Sequence, residues 1–146
     1  MVYYGYEEFR EDARTLINEV KEFAPQVIVA VARGGLTLAH AMAEGLDIRA
    51  VESIRTELYD NTEKRDEICI YGECNLMNHK RVLVVDDIAD SGDTLVAVME
   101  KLQQDNPHAE FKTATLFYKH TSVHQPDFKV KEAPDWIDFF WDRDFK

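Results

Sequence analysis

Cysteine is scarce in this chain: 146 residues carry two, Cys69 and Cys74. With no second pair nearby they complete neither a zinc site nor a disulfide framework, and reduced intracellular thiols are expected. Positive charge is also short, at 17 Lys and Arg against 28 Asp and Glu, for a formal charge of -11. That balance argues against a sequence-independent nucleic-acid surface, and any anionic substrate must be held by local groups. No apolar run reaches membrane length, and the opening "MVYYGYEEFRED" lacks a basic stretch followed by an apolar one. A soluble cytoplasmic protein with no integral membrane segment and no nucleic-acid partner is expected. Internal repeats and low-complexity segments are absent as well.

What remains is a folding sequence, 45% hydrophobic and 11% aromatic, of a length that suits one domain over 1–146. Phe9, Ala13, Leu16, Ile17, Val20 and Phe23 recur at three- and four-residue steps, the stripe of an amphipathic helix ending before Pro25. "VIVAVA" at 27–32 reads as a buried strand, "RGG" as a turn, and "LTLAHAMAEG" as a helix for which Gly45 would serve as C-terminal cap. "IRAVESI" at 48–54 reads as a strand, and "RTELYDNTEKRDE" after it, dominated by charge and without periodicity, as a surface loop or lid over about 55–67. "ICIYG", "RVLVVDD" and "FKTATLFYK" (111–119) supply further strands, with "TLVAVMEKLQQD" as a helix between the last two. Alternating strands and helices imply an α/β fold: a mostly parallel central sheet with helices on both faces and ligands at the carboxyl ends of the strands. The charged loop and the aromatic tail "DWIDFFWD" are what such a sheet does not require, which marks both for function.

The segment "VLVVDDIADSGDT", residues 82–94, poses the chemical question. It runs from a buried strand into small residues of the kind that open a helix and cradle anions, yet it carries four aspartates and no Lys or Arg. A helix N-terminus favours an exposed anion by about 0.3–1 kcal/mol, whereas two unit charges 4 Å apart repel by about 4 kcal/mol at an effective dielectric near 20. A phosphate can sit here only if the carboxylates face hydroxyls, a cation or a developing positive centre while backbone N–H groups and the hydroxyls of Ser91 and Thr94 face the phosphate. A sugar phosphate with a vicinal diol and magnesium meets that description. The residues alone also admit plainer readings, in which Asp86 and Asp87 are strand-ending acids and Ser91 or Asp93 caps a helix beginning near Thr94.

Asp-Asp followed by small residues and Gly-Asp-Thr, after a Val-rich strand, resembles the phosphoribosyl-pyrophosphate motif of type I phosphoribosyltransferases. "ARGGL" at 32–36 resembles that family's pyrophosphate loop, Lys119 its purine-selecting lysine, and "DWIDFFWD" the hood, here about 120–146, that closes on the base. The order of the four motifs is closest to the bacterial xanthine-guanine-hypoxanthine branch. The resemblance implies transfer of a 5-phosphoribosyl group to N9 of a 6-oxopurine, with Mg2+, in a homodimer or homotetramer. It implies that Asp86 and Asp87 hold the ribose hydroxyls or the magnesium shell, that Asp90 is the general base, and that Ala89, Ser91, Gly92, Asp93 and Thr94 wrap the 5-phosphate. Arg33 and Gly34 would receive pyrophosphate, with a non-proline cis peptide at Ala32–Arg33. Lys119 would donate to the purine 6-oxo group and so reject adenine. Trp136 would stack on the base, Ile137 would offer backbone groups to its 2-position, Asp142 would reach metal-bound water, and Tyr59 would close the lid. Relatives often carry Ser-Tyr in that lid where this chain has Leu58-Tyr59.

Alternatives stay open at this point. A response-regulator receiver domain shares the "VLVVDD" opening but needs more chain after Asp87 and leaves "ARGGL" unexplained. A non-catalytic or regulatory protein of the same fold that binds phosphoribosyl pyrophosphate, or a transferase for another base, would share most of these motifs.

Overall fold

The computed structural model describes residues 2–59 and 67–146. In chain order the elements are β1 (Val2–Tyr4), α1 (Tyr6–Val20), β2 (Val27–Ala32), α2 (Leu36–Leu46), β3 (Val51–Tyr59), β4 (Glu67–Tyr71) and β5 (Arg81–Ala89). They continue as α3 (Asp93–Asp105), β6 (Glu110–Tyr118), β7 (Phe128–Glu132), β8 (Ile137–Phe139) and α4 (Phe140–Arg143). The main sheet has the order β4-β3-β2-β5-β6-β7, parallel except for the edge strand β4, and β1 pairs with β8 in a small parallel sheet of its own.

The strand alternation explains why both faces are covered. In β2 and β5, Ile28, Ala30, Leu83 and Val85 join the core beneath α1 and α2. Their neighbours Val27, Val29, Val31, Val82 and Val84 join the opposite core beneath Leu95, Val98, Met99 and Leu102 of α3. A strand buried on two sides must be apolar at consecutive positions, which is why "VIVAVA" and "VLVV" are continuous runs. Each fully buried Val, Leu or Ile contributes about 1.5–3 kcal/mol, so these central strands hold the sheet and fix where its carboxyl ends lie.

Several boundaries differ from the sequence reading, each for a local reason. Asp47, not Gly45, closes α2: it adopts the left-handed conformation at φ 54° and Ile48 N–H bonds back to Ala43 O at 2.9 Å. Gly45 lies in the last helical turn, where a β-carbon would meet Ile17 Cδ1 at 2.4 Å, so its smallness serves the packing of α2 on α1. The strand expected at 48–54 begins at Val51, where the register with Ile28 of β2 begins, and runs to Tyr59. The expected irregular loop is therefore strand at 55–59, paired antiparallel with β4 from Arg55↔Tyr71 to Tyr59↔Glu67. Beyond Ala32 this hairpin outruns β2 and extends past the carboxyl edge. Residues 60–66 of the expected lid, and the role expected of the Tyr59 side chain, lie outside the described residues.

At the other end, residues 128–132 form β7 and pair with β6, so this part of the tail belongs to the main sheet. The small sheet instead recruits the chain start: Tyr4, 1% exposed, sits edge-on to Phe117, Phe139 and Trp141, with ring centroids 5.0, 5.7 and 6.1 Å away. Its hydroxyl donates to the buried carboxylate of Asp12 at 2.7 Å, which Lys131 also reaches at 3.1 Å. The aromatic tail thus divides, with Phe139, Phe140 and Trp141 packed inward and Trp136 left 65% exposed.

Candidate active site

The site is built where β2 and β5 stop pairing. Their register ends at Ala30↔Val85, and β5 continues through Ala89 beside β6, so Asp86 and Asp87 lie inside the strand rather than after it, on a stretch β2 no longer covers. Past β2, the Ala32–Arg33 peptide is cis. A β-carbon at Gly34 would lie 2.5 Å from Asp87 Oδ2, and one at Gly35 would lie 2.4 Å from the carbonyl of Val85. "RGG" is therefore a close approach, at Gly35 to the backbone of β5 and β2 and at Gly34 to the Asp87 carboxylate, and a side chain at Gly35 would lift the start of α2 off the end of β5.

Asp86 is 9% exposed, and burial, then the charge of Asp87, pushes its carboxyl well above the ordinary aspartate range. Its Oδ1 accepts the Asp87 N–H at 2.8 Å. Burial raises Asp87 as well. From Ala89 the chain turns into α3 through Gly92, whose φ of 89° suits glycine. The plainer reading of Ser91 or Asp93 as the cap is met only in part: Ser91 Oγ accepts the Asp93 N–H at 3.2 Å in a local turn, and α3 begins with Asp93 behind a Gly92 N-cap that makes no side-chain bond. The first-turn amides beyond Asp93, which no capping side chain engages, are a natural anion seat.

Two cavities meet here. The larger, about 470 Å³, is lined by Arg33, Gly34, Asp87, Phe139, Trp141 and Asp142 among others. The smaller, about 200 Å³, runs from Asp86 and Asp87 along Ala89, Asp90, Ser91, Gly92 and Thr94. Asp87 is the acid common to both. Beside the smaller cavity Lys119, just past the end of β6, pairs with Asp90 at Nζ to Oδ1 3.0 Å. The Asp90 side chain is 67% exposed, and exposed pairs of this kind contribute about 0–1 kcal/mol, so a ligand can displace it cheaply. Asp142 faces the larger cavity and accepts from Lys146 at 2.5 Å. Asp93, Trp136 and Ile137 line neither cavity; Ile137 lies on β8 opposite Val2.

The 6–145 segment matches the family model for the phosphoribosyl transferase domain. The chain belongs to the phosphoribosyltransferase family. It is similar to the xanthine-guanine phosphoribosyltransferase of Idiomarina loihiensis, at 36% identity over 79% of this chain and 70% of the relative. The same-named protein of Chromohalobacter salexigens is 30% identical over 94% and 82% of the two chains. Among solved structures, the Helicobacter pylori xanthine-guanine-hypoxanthine phosphoribosyltransferase superposes with a TM-score of 0.93 at 37% identity, covering 99% of this chain and 95% of that one. A purine phosphoribosyltransferase from Pyrococcus horikoshii gives 0.83 at 29% identity over 97% and 93%.

In this phosphoribosyltransferase, sequence reasoning missed Gly35, which the motif contained without a role, and the packing of Phe139 and Trp141 along the larger cavity. The density of aromatics in "DWIDFFWD" was the available signal, but nothing in it tells an inward ring from an outward one. Among the described residues no group of three or more His, Cys, Asp or Glu is arranged to hold a metal ion alone, and no helix is long and apolar enough to cross a membrane.

Proposed function

We propose that this phosphoribosyltransferase carries the 5-phosphoribosyl group of phosphoribosyl pyrophosphate to N9 of a 6-oxopurine, xanthine, guanine or hypoxanthine, releasing the nucleoside monophosphate and pyrophosphate in purine salvage. The observation that carries the reading is Asp87, set between a cavity bearing Arg33 and a cavity bearing the uncapped turn of α3. A ribose spanning that wall puts its diphosphate toward Arg33 and Gly34 and its 5-phosphate toward Ser91, Gly92, the Asp93 amide and Thr94. The names of the Idiomarina, Chromohalobacter and Helicobacter relatives support the acceptor.

The Lys119–Asp90 pair suits the acceptor on chemical grounds. On a 6-oxopurine the O6 acceptor and the imidazole nitrogen N7 lie side by side. A lysine ammonium and a carboxylate held 3.0 Å apart match that donor-acceptor order, Lys119 donating to O6 and Asp90 taking the imidazole proton as N9 attacks C1. Adenine offers an amino donor at the same point and leaves the ammonium without an acceptor. Trp136, on the exposed side of the tail, stacks on the base. Val2 N–H donates to Trp136 O at 3.2 Å, a parallel pattern that turns the amide and carbonyl of Ile137 away from β1, which leaves them unengaged by that strand and supports a role for them at the 2-position of a base.

Magnesium fits the donor set. Two adjacent carboxylates, one of them buried where its charge is costly, fall short of an all-protein cage, and magnesium favours one or two carboxylates together with water and phosphate oxygens. Asp86 and Asp87 would hold it with the substrate, Asp142 reaching its water, and its charge would stabilise the departing diphosphate. The β3–β4 hairpin, carrying Leu58 at 65% exposure, serves as the lid. The residues after β7, with β1, serve as the hood. The reading places the protein in the cytoplasm as a homodimer or homotetramer, in keeping with its free cysteines.

Steady-state rates with phosphoribosyl pyrophosphate, magnesium and each of the four bases test the reading. Transfer to at least one oxopurine and not to adenine is expected. Asp90→Asn should cut kcat by about 100-fold with the sugar-phosphate KM little changed, and Lys119→Ala should erode the discrimination against adenine. Binding of the activated sugar without transfer to any base would leave a non-catalytic protein instead.

A further inference from the structure

The segment after β6 contains a polar network that the roles above do not use. Lys119 N–H bonds to Ala89 O at 2.9 Å, tying the start of this segment to the end of β5. Four residues on, Val123 N–H bonds to Ser91 O at 2.9 Å, tying it to the phosphate loop itself. Between these anchors the turn is closed by Ser122 N–H on Lys119 O at 2.9 Å and by Ser122 Oγ on His124 O at 2.8 Å. A single side-chain amide then gathers the turn: Gln125 Nε2 donates toward the carbonyls of Lys119 at 3.1 Å, Ser122 at 2.9 Å and His120 at 3.4 Å. His124 anchors the far side through Nε2 and Thr113 Oγ1, 2.8 Å apart.

This turn is pressed against the phosphate loop. A β-carbon on Gly92 would lie 2.4 Å from Ser122 Oγ, 2.6 Å from His124 N and 2.9 Å from Val123 N, two of them backbone atoms that cannot rotate aside. The left-handed φ already favours glycine at position 92, and the space above it is occupied by the turn that begins at Lys119.

We infer that Ser122 and Gln125 are positioning residues, holding the 119–125 turn as one clamp that sets the Lys119 ammonium and the Ser91–Gly92 backbone together, so that purine selection and 5-phosphate binding depend on the same hydrogen-bonded unit. The inference rests on the function proposed above. Neither side chain needs to touch substrate. Displacing the turn moves the anchor of Lys119 and withdraws the donor on Ser91 O at once, and misplacements of an ångström at such sites cost up to about 100-fold.

Gln125→Glu tests this, because it keeps the shape and replaces an amide whose two N–H groups are shared among the carbonyls of the turn with a carboxylate that cannot donate. KM for the purine and KM for phosphoribosyl pyrophosphate should both rise by about tenfold, with adenine discrimination falling and kcat changing less. In a Lys119→Ala background the same substitution should leave the purine KM where Lys119→Ala alone puts it and still raise the KM for the activated sugar. Ser122→Ala, read the same way, keeps the test decisive if the Glu variant fails to fold. A lowered Tm with both constants within about twofold of the parent, or a rise confined to one substrate, would overturn the clamp. If instead the unmodified enzyme transferred to no oxopurine, the proposed function rather than the clamp would have failed.

Discussion

Asp86 is buried where an ionised carboxyl is expensive, and the direction of its shift carries a consequence for stability. Because the folded-state value lies above the unfolded one, the stability it contributes is complete at low pH and is lost as pH rises through the folded value. At neutral pH the ligand-free protein therefore carries a penalty that a cation or a ribose hydroxyl relieves. Asp86→Asn should raise the stability of the free protein by roughly 0.5–2 kcal/mol at pH 8, with the gain shrinking toward pH 5, while weakening binding of the magnesium-sugar complex. Thermal melts at the two pH values and calorimetry check this; a variant less stable than the parent at pH 8 would mean that Asp86 is a structural acid. Cys74 is the contrasting case, since burial pushes its thiol up to about 11 and leaves it inert rather than poised.

Among the elements, the small β1–β8 sheet depends on aromatic packing rather than strand length, having three paired positions between segments from opposite ends of the chain. Phe139, 9% exposed, stacks on Trp141 at 4.6 Å and meets Phe117 edge-on at 5.9 Å, so it joins this sheet to β6 while lining the larger cavity. Phe139→Ala should cost about 3–5 kcal/mol, lowering Tm by roughly 10 °C. Because β1 pairs with no other strand among the described residues, limited proteolysis should open the first residues and the 133–136 segment together. Cleavage at one end with the other still protected would show that the two strands do not depend on each other. The "FKVKE" pattern of β7, apolar at Phe128 and Val130 and charged between, alternates as a strand does but was absorbed into the expected hood; β1 went unread because three residues carry no period and their partner lies at the far end of the chain.

At the scale of the molecule, a formal charge of -11 sits beside a proposed sugar phosphate that is itself polyanionic. Such a protein cannot attract its substrate by net charge, and the proposed site relies on directed amides, Arg33 and a divalent ion. Ligand linkage makes this measurable. At a hundredfold excess over its Kd, phosphoribosyl pyrophosphate with magnesium should stabilise the fold by about 2.7 kcal/mol, a Tm rise of roughly 5–10 °C for a domain of this size. The same sugar with a chelator should give much less. Equal shifts in the two cases would show that Asp86 and Asp87 manage without a cation.

The local pattern by itself determined the central strands, the three long helices and the small-residue turn after the aspartates, while the pyrophosphate and lysine motifs came from resemblance to a family. The elements and the turn are a matter of period, turn chemistry or adjacency in the chain, and two-sided burial writes itself into consecutive apolar residues. What only the tertiary structure decided is everything that needs two distant segments: Gly34 against Asp87, Lys119 against Asp90, the 119–125 turn over Gly92, and the chain start beside Ile137. These contacts depend on where the sheet brings separate strand ends, and a residue's chemistry says what it can bind without saying which neighbour it will meet.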